Sequence, residues 1–546
     1  MKRLYQNSKE DNKFKRVGLM VDCSRNAVPK VETIKKLADM MVKMGFNMLM
    51  LYTEDTYEIA GRPYFGYMRG RYSVEELNDI DDYCYNLGIE CIPCIQTLAH
   101  LNAFIRWEEA QSYTDCNDIL MIGNEETYRL IDDMFASLSK AFRSKTIHIG
   151  MDEAFMVGRG KYLDKNGYAP IETIMMEHLN KVQELAEKYG YQTMIWSDML
   201  FRSLNGGEYY TDNPNIIETE ESNVLPENVI PVYWDYYSTD AGHYEKMIEA
   251  HKRLGKPVWF AGGLWKWLGF APLNEFSIKA NMAALRACIE HNVENVFFTM
   301  WGDHGAEASL FSVLPSMFYT SQLIKGIEDE TEIKKNFEEF VGIAFDDYME
   351  LDIRGFWNLE GNKDEAVNPS KYMLYNDYFC GLHDTITDKS RNEIYAQSGE
   401  KLAPLADNEE YGYIFATIKA LCDVLKLKND IGIRTRKAYR EKDRTAINEL
   451  IEDYGVVLKR LDAFYQAFQT QWFRENKPFG FEMQDARIGG LMQRTKSCMQ
   501  RLKAFADGEI SQIPELDEDI LDPECLDGSK RELQYNDWIG SFASVM

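Results

Sequence analysis

The sequence predicts an α/β protein, a (β/α)8 TIM barrel followed by an all-helical C-terminal domain, and three observations carry that prediction. Between about Lys15 and Tyr319, short apolar runs alternate with longer amphipathic segments, the pattern of strand and helix units around a parallel sheet. Eight such runs fit in this stretch, the number that closes a barrel. Beyond about Ile324 the strand signal is lost, and Lys, Glu, Leu and aromatic residues recur at helical periods. The expected boundary therefore separates a barrel over residues 1–323 from a helical domain over 324–546.

The expected strands are Arg16 to Val21, Met48 to Leu51, Glu90 to Ile95, Thr146 to Ile149, Gln192 to Trp196, Val229 to Tyr233, Pro257 to Phe260 and Asn295 to Met300. Between the first two, Val31, Ile34, Leu37, Met41 and Met44 recur at helical spacing, and Gly45 stands where a left-handed C′ residue belongs. Between the second and third, Ser73 and Glu76 form a Ser-x-x-Glu capping box ahead of Leu77, Ile80 and Tyr83, with Gly88 closing the helix. In the second region, Ile414, Ile418, Leu421, Val424 and Leu425 form one apolar stripe. Ile447, Leu450, Ile451, Val457, Leu458, Leu461 and Phe464 form a longer one. Stripes of this kind pack on the barrel or on a second copy of the chain, and periodicity does not separate the two. The acidic tail after Ala504, with Glu509, Glu515, Asp517, Glu518 and Asp519, is expected to be peripheral.

The formal net charge of −27 repels phosphate backbones and anionic membrane surfaces, which argues against nucleic acid and membrane as partners. The first ten positions carry the charged Lys2, Arg3, Lys9 and Glu10 where a secretory signal needs an apolar run, so a soluble, unexported protein is expected. Ten cysteines are scattered singly apart from Cys91 and Cys94, which reads as reduced thiols in a cytoplasmic protein.

The fourth strand ends in Asp152 and Glu153, and adjacent carboxylates are costly to bury because like charges and desolvation both raise a carboxyl pKa. In unequal surroundings one such group keeps its proton and the other stays ionised, which is what acid/base chemistry requires. The other strand ends are also rich in polar and aromatic groups. They carry Arg25 after the first strand, Tyr52 and Glu54 after the second, Gln96 and His100 after the third, and Trp196 and Asp198 after the fifth. Tyr233, Asp235 and Tyr236 follow the sixth, Trp265 and Trp267 the seventh, and Trp301 and Asp303 the eighth. Indole walls with acidic edges suit a sugar, whose C–H face packs on the ring while its hydroxyls seek planar acceptors and donors. Taken singly, each tryptophan fits a core position equally well. His148, inside the fourth strand, serves either chemistry or the orientation of its neighbours. No His-x-His or His-Glu-x-x-His spacing accompanies it, so no metal is expected.

The run His148-x-Gly150-x-Asp152-Glu153 at a fourth strand end resembles the catalytic signature of glycoside hydrolase family 20, the β-N-acetylhexosaminidases. Arg25, His100 in Gln96-Thr97-Leu98-Ala99-His100, Trp196 and Met300-Trp301-Gly302-Asp303 support the resemblance. It is to a short form lacking the α/β domain that usually precedes the barrel, with the helical region in its structural place. What it implies is exo-acting removal of terminal N-acetylglucosamine or N-acetylgalactosamine from a small glycan, with no cofactor and with a homodimer through the helical region. The substrate's own acetamide oxygen would attack the anomeric carbon, Glu153 would act as acid and then base, and Asp152 would orient the acetamide. Tyr233, and after it Tyr236, is the expected tyrosine on the acetamide oxygen. Asp303 stands where the family commonly has Glu. Two other readings remain open: a retaining glycosidase with Asp198, Asp235 or Asp303 as nucleophile, and a catalytically silent sugar-binding barrel.

Overall fold

The structure is a computed structural model that describes residues 13–217, 225–353, 368–387, 389–522 and 533. Eight parallel strands close a barrel in the order β1-β10-β9-β8-β7-β6-β3-β2. They are β1 Arg16–Asp22, β2 Met48–Thr53, β3 Glu90–Ile95, β6 Thr146–His148, β7 Gln192–Trp196, β8 Val229–Trp234, β9 Trp259–Gly263 and β10 Asn295–Met300. Closure is made by β1 on β10, in register from Arg16 beside Asn295 to Val21 beside Met300. All six residues of β2 are buried, as expected of a parallel strand covered on both faces. A short antiparallel hairpin, β4 Thr114–Cys116 and β5 Ile119–Leu120, lies in the connection after β3 and was not expected from the sequence.

Seven of the expected strands agree with the observed ones to within a residue or two. The seventh barrel strand differs, because β9 runs to Gly263 instead of ending at Phe260. Its last residues are glycines, which read as a break, yet Gly262 is needed there. A Cβ on it would meet Asn281 Oδ1 at 2.8 Å and the Phe298 ring at 2.9 Å.

The punctuation of the first two helices is as the sequence indicates. Val31–Met44 ends on Gly45 at φ 93°. Val74–Leu87 starts on Ser73, whose side chain and that of Glu76 form a reciprocal capping box, and ends on Gly88 at φ 80°.

Contacts divide the chain into two compact units. One comprises Met1–Leu264, Ser277–Trp301 and Ser316–Ile333, and the other Trp265–Phe276, Gly302–Pro315 and Lys334–Met546. In the second unit, the stripe Ile414, Ile418, Leu421, Val424 and Leu425 is the buried side of helix Gly412–Lys428. Helix Arg444–Glu475 buries Ile447, Leu450, Val457, Leu461 and Phe464, while Ile451 and Leu458 are half-buried.

The acids of the tail are peripheral, with Glu509, Asp517, Glu518 and Asp519 exposed, but the segment that carries them is anchored. Helix Phe481–Asp507 passes through Ala504, and the segment beyond it buries Ile513 and Leu516. Arg436 and Arg440 both donate to the Leu516 carbonyl, and Arg501 pairs with Glu515. Arginine forks satisfy its carbonyls and carboxylates together, which offsets the charge repulsion that a run of acids implies.

Candidate active site

The turn after β6 is built from unusual backbone. Gly150 has φ 73°, Met151 φ 72° and Glu153 φ 50°, three left-handed residues within four positions. A Cβ on Gly150 would lie 2.1 Å from Gln96 Oε1 and 2.8 Å from the Ile95 carbonyl, so this position requires glycine twice over. Neighbouring strands hold the turn: Trp196 N–H donates to the Gly150 carbonyl at 3.2 Å, and Met151 N–H donates to Gln96 Oε1 at 3.2 Å. Gly150 N–H donates to His148 Nδ1 at 3.1 Å, which fixes that ring as the Nε2–H tautomer. Burial drives the His148 pKa down to about 3, so the imidazole is neutral. His148 therefore orients the turn.

Asp152 is 8% exposed and sits between two partners. Gln96 Nε2 donates to its Oδ1 at 2.7 Å. His100 Nε2 stands 3.1 Å from its Oδ2, off the axis of a well-aligned hydrogen bond, so the contact is chiefly that of an ion pair. Burial opposes ionisation of Asp152, but the His100 charge, followed by the His100 and Gln96 hydrogen-bonding groups, outweighs it and holds the carboxyl below its usual range. Burial likewise opposes the charged form of His100, and Asp152 overcomes it, pushing the imidazole up to about 9. At neutral pH the pair is thus a carboxylate facing an imidazolium.

Glu153 is placed differently. Its side chain is 42% exposed and its Oε2 lies 3.7 Å from the same His100 nitrogen. Adjacent residues in one turn therefore present one enclosed anion and one accessible carboxyl.

On the other side of Gln96, its Nε2 also donates to the Tyr52 hydroxyl at 2.9 Å, and that hydroxyl donates to Glu54 Oε1 at 3.2 Å. Arg25 Nε donates to the same Glu54 oxygen at 2.9 Å. Burial raises the Glu54 pKa, with Arg25 working against the shift. The Arg25 guanidinium lies 5.4 Å from the Trp301 ring centre and 5.6 Å from that of Tyr52, and these two rings meet edge to face at 4.7 Å. Trp301 in turn lies 6.1 Å from Trp196, whose ring stands 4.3 Å from His148. Arg25, Glu54, His100, Asp152, Glu153, Trp196 and Trp301 are thus joined in one network, as the strand-end reading expects. Gln96 and Tyr52 are the members to which the sequence assigns no role, since only their strand-end positions mark them.

Three of the expected substrate-binding residues, Asp198, Tyr233 and Asp235, are engaged within the fold. Asp198 has no exposed surface, and its Oδ2 accepts the main-chain N–H of Glu153 at 3.0 Å. Tyr233, also fully buried, points into the outer layer against His251, Tyr244 and Phe260. Its hydroxyl donates to Asp235 Oδ2 at 2.8 Å, which also faces His243 Nε2 at 2.7 Å, while Asp235 Oδ1 accepts from Tyr237 N–H. Tyr236 is instead hydrogen-bonded to the side chains of Trp301 and Thr299, and burial keeps its phenol protonated. In the second unit, Trp265 and Trp267 stack at 4.4 Å, and Asp303 opens the short 3₁₀ turn Asp303–Gly305. No group of three or more His, Cys, Asp or Glu side chains among the described residues is arranged to hold a metal ion.

Comparison with known proteins identifies the family. The catalytic-domain model of glycosyl hydrolase family 20 matches residues 14–246, and the glycoside hydrolase 20C C-terminal domain matches residues 346–532, together more than half of the sequence. The chain belongs to glycoside hydrolase family 20. Similar proteins include human hexosaminidase D, 22% identical over 351 residues that cover 59% of this chain and 68% of that protein. Beta-hexosaminidase 3 of Arabidopsis thaliana is 25% identical over 201 residues, 34% of this chain, which thus spans only 37% of that relative's length. Among solved structures, a chitobiase of Flavobacterium johnsoniae aligns with TM-score 0.47 and 15% identity over 84% of this chain and 78% of its own. A family 20 exo-β-N-acetylglucosaminidase of Vibrio harveyi aligns with TM-score 0.45 and 15% identity over 61% and 59%.

Proposed function

We propose that this family 20 glycoside hydrolase is an exo-β-N-acetylhexosaminidase that cleaves terminal β-linked N-acetylglucosamine or N-acetylgalactosamine with retention, using the substrate's acetamide as nucleophile. The observation that carries the reading is the unequal pair: Asp152 enclosed and held ionised by His100 and Gln96, Glu153 beside it and 42% exposed. A fixed buried anion is suited to orient the acetamide N–H and to balance the positive charge of the oxazolinium ring that forms when the acetamide oxygen attacks. Glu153 gives its proton to the leaving oxygen and then takes one from water. Tyr236, protonated and in the Trp301 and Thr299 cluster, is better placed than Tyr233 to donate to the acetamide oxygen. Arg25 and Glu54 supply a donor fork and an acceptor for sugar hydroxyls, with the indole of Trp301 as a wall.

An enzyme nucleophile is disfavoured at two of its three candidates. Asp198 is sealed beneath the Glu153 amide and Asp235 is occupied by Tyr233 and His243. Residence in the cytoplasm is the compartment we infer, since the nine cysteines among the described residues are free thiols. The homodimer expected through the helical region is likewise part of this proposal, and light scattering of the purified protein tests it.

The deciding experiment compares nitrophenyl β-glycosides that differ only in having a 2-acetamido or a 2-hydroxyl group. Turnover confined to the acetamido substrate supports the mechanism. Comparable turnover of both would require a nucleophile from the protein.

A further inference from the structure

Glu153 adopts a left-handed backbone, φ 50°, which a residue with a side chain adopts only where its surroundings impose it. What imposes it is visible. Asp198 lies two residues beyond the end of β7, with no exposed surface, and its Oδ2 accepts the Glu153 N–H at 3.0 Å. That N–H has no strand or helix partner of its own, because Asp152 and Glu153 lie in a loop. Asp198 is held from behind. Arg202 Nε stands 3.8 Å from the same Oδ2, and Ser197, the residue before it, is fixed by its N–H on the Val232 carbonyl and its hydroxyl on His251 at 2.7 Å. The other oxygen, Oδ1, is buried without a hydrogen-bond partner. A buried carboxylate with an unused oxygen and a counter-charge only at 3.8 Å is an expensive group to keep if its one hydrogen bond serves only folding.

We propose that Asp198 is a positioning residue for the proton donor: its carboxylate grips the Glu153 amide and fixes the left-handed turn that aims the Glu153 carboxyl at the leaving oxygen. The inference rests on Glu153 being that donor. It assigns Asp198 no contact with substrate. Burial, and next the Asp152 charge, push the Asp198 pKa up to about 7.

Leaving-group dependence tests the proposal, because a misaimed acid hurts only substrates that need protonation. The substrates are N-acetylglucosaminides with a methyl aglycone, which requires the acid, and a dinitrophenyl aglycone, which does not. Asp198→Ala should lose roughly 10- to 100-fold in kcat/KM on the first and no more than about threefold on the second. Asp198→Asn, which keeps an oxygen for the Glu153 amide, should recover most of the loss. In a Glu153→Gln background, Asp198→Ala should cost nothing further on the methyl glycoside. Should the alanine variant not fold, Asp198→Leu, of similar shape and without an acceptor, takes its place. Equal losses on both aglycones, or an added loss in the Glu153→Gln background, would overturn the proposal. If Glu153→Gln itself shows no leaving-group bias, it is the assignment of the proton donor that fails.

Discussion

His100 Nε2 stands 3.1 Å from Asp152 Oδ2, and each group moves the other's titration in the direction that makes both charged at neutral pH. Glu54 adds to the effect on His100 and Arg25 opposes it. The folded pKa of His100 lies above its unfolded value, so the stabilisation it contributes is complete below about 6.5 and is lost as pH rises through about 9. The folded pKa of Asp152 is depressed, so its contribution is lost on the acid side, as pH falls through that lowered value. Thermal melting of the wild type and of His100→Gln should therefore differ most at mildly acidic pH, below about 6.5, and the gap should narrow steadily toward pH 9.5. A gap that widens toward alkaline pH would contradict the ion pair.

Asp152→Asn keeps the shape of the side chain and removes its charge. With the oxazolinium then facing a neutral amide, kcat/KM on an N-acetylglucosaminide should fall by about 10² to 10³, a loss well beyond what the lowered melting temperature from the broken His100 pair accounts for. Steady-state kinetics on folded protein decides this, and an unaltered kcat/KM would remove Asp152 from the mechanism.

Gly150→Ala inserts a methyl group into the space of the Gln96 amide at a left-handed position. Backbone strain of about 1–2 kcal/mol is expected, together with displacement of Gln96 from Asp152. Activity should drop further than that strain alone accounts for, because the enclosed anion loses its amide donor. Urea unfolding and kcat/KM measured on the same preparation separate the two effects.

In the second unit, Lys371 Nζ pairs with Glu307 Oε1 at 2.7 Å, Arg487 Nη1 approaches the same oxygen at 3.4 Å, and all three side chains are nearly or wholly buried. Lys371 and Arg487 also donate to the His304 carbonyl, in the turn that begins with Asp303. Lys371→Met leaves Glu307 short of a buried counter-charge and should destabilise that unit by about 3–5 kcal/mol. The double variant Lys371→Met, Glu307→Leu should regain much of it. Chemical denaturation of the intact chain measures both.

Much of the barrel is legible in the sequence because parallel strands covered on both faces write themselves as apolar runs, as in Met48 to Leu51 and Asn295 to Met300. Where the strand needs glycine for close packing, as at Gly262, the run looks broken and the boundary is misplaced. The site is legible to the extent that polar residues at strand ends converge, which brings Arg25, Glu54, His100, Asp152, Glu153, Trp196 and Trp301 together. Direction is the part that is hidden. Tyr233 and Tyr236 are the same residue type three positions apart, yet β8 ends at Trp234, and past that point strand alternation no longer says which ring faces inward. Asp198 shows the same limit, since a carboxylate that meets a sugar and one that meets a backbone amide are identical in sequence.

The carboxamide of Gln96 has only one orientation that fits, with its oxygen on the Met151 N–H and both hydrogens spent, one on Asp152 and one on the Tyr52 hydroxyl. Because Tyr52 must then pass its own hydrogen on to Glu54, the two acids at opposite ends are wired through a single neutral hub whose hydrogens all run outward. Neutralising either terminus would weaken the acceptor at that end of the chain, so protonation at one rim of the cup is felt at the other. Replacing the hub with its isosteric acid would reverse the current altogether.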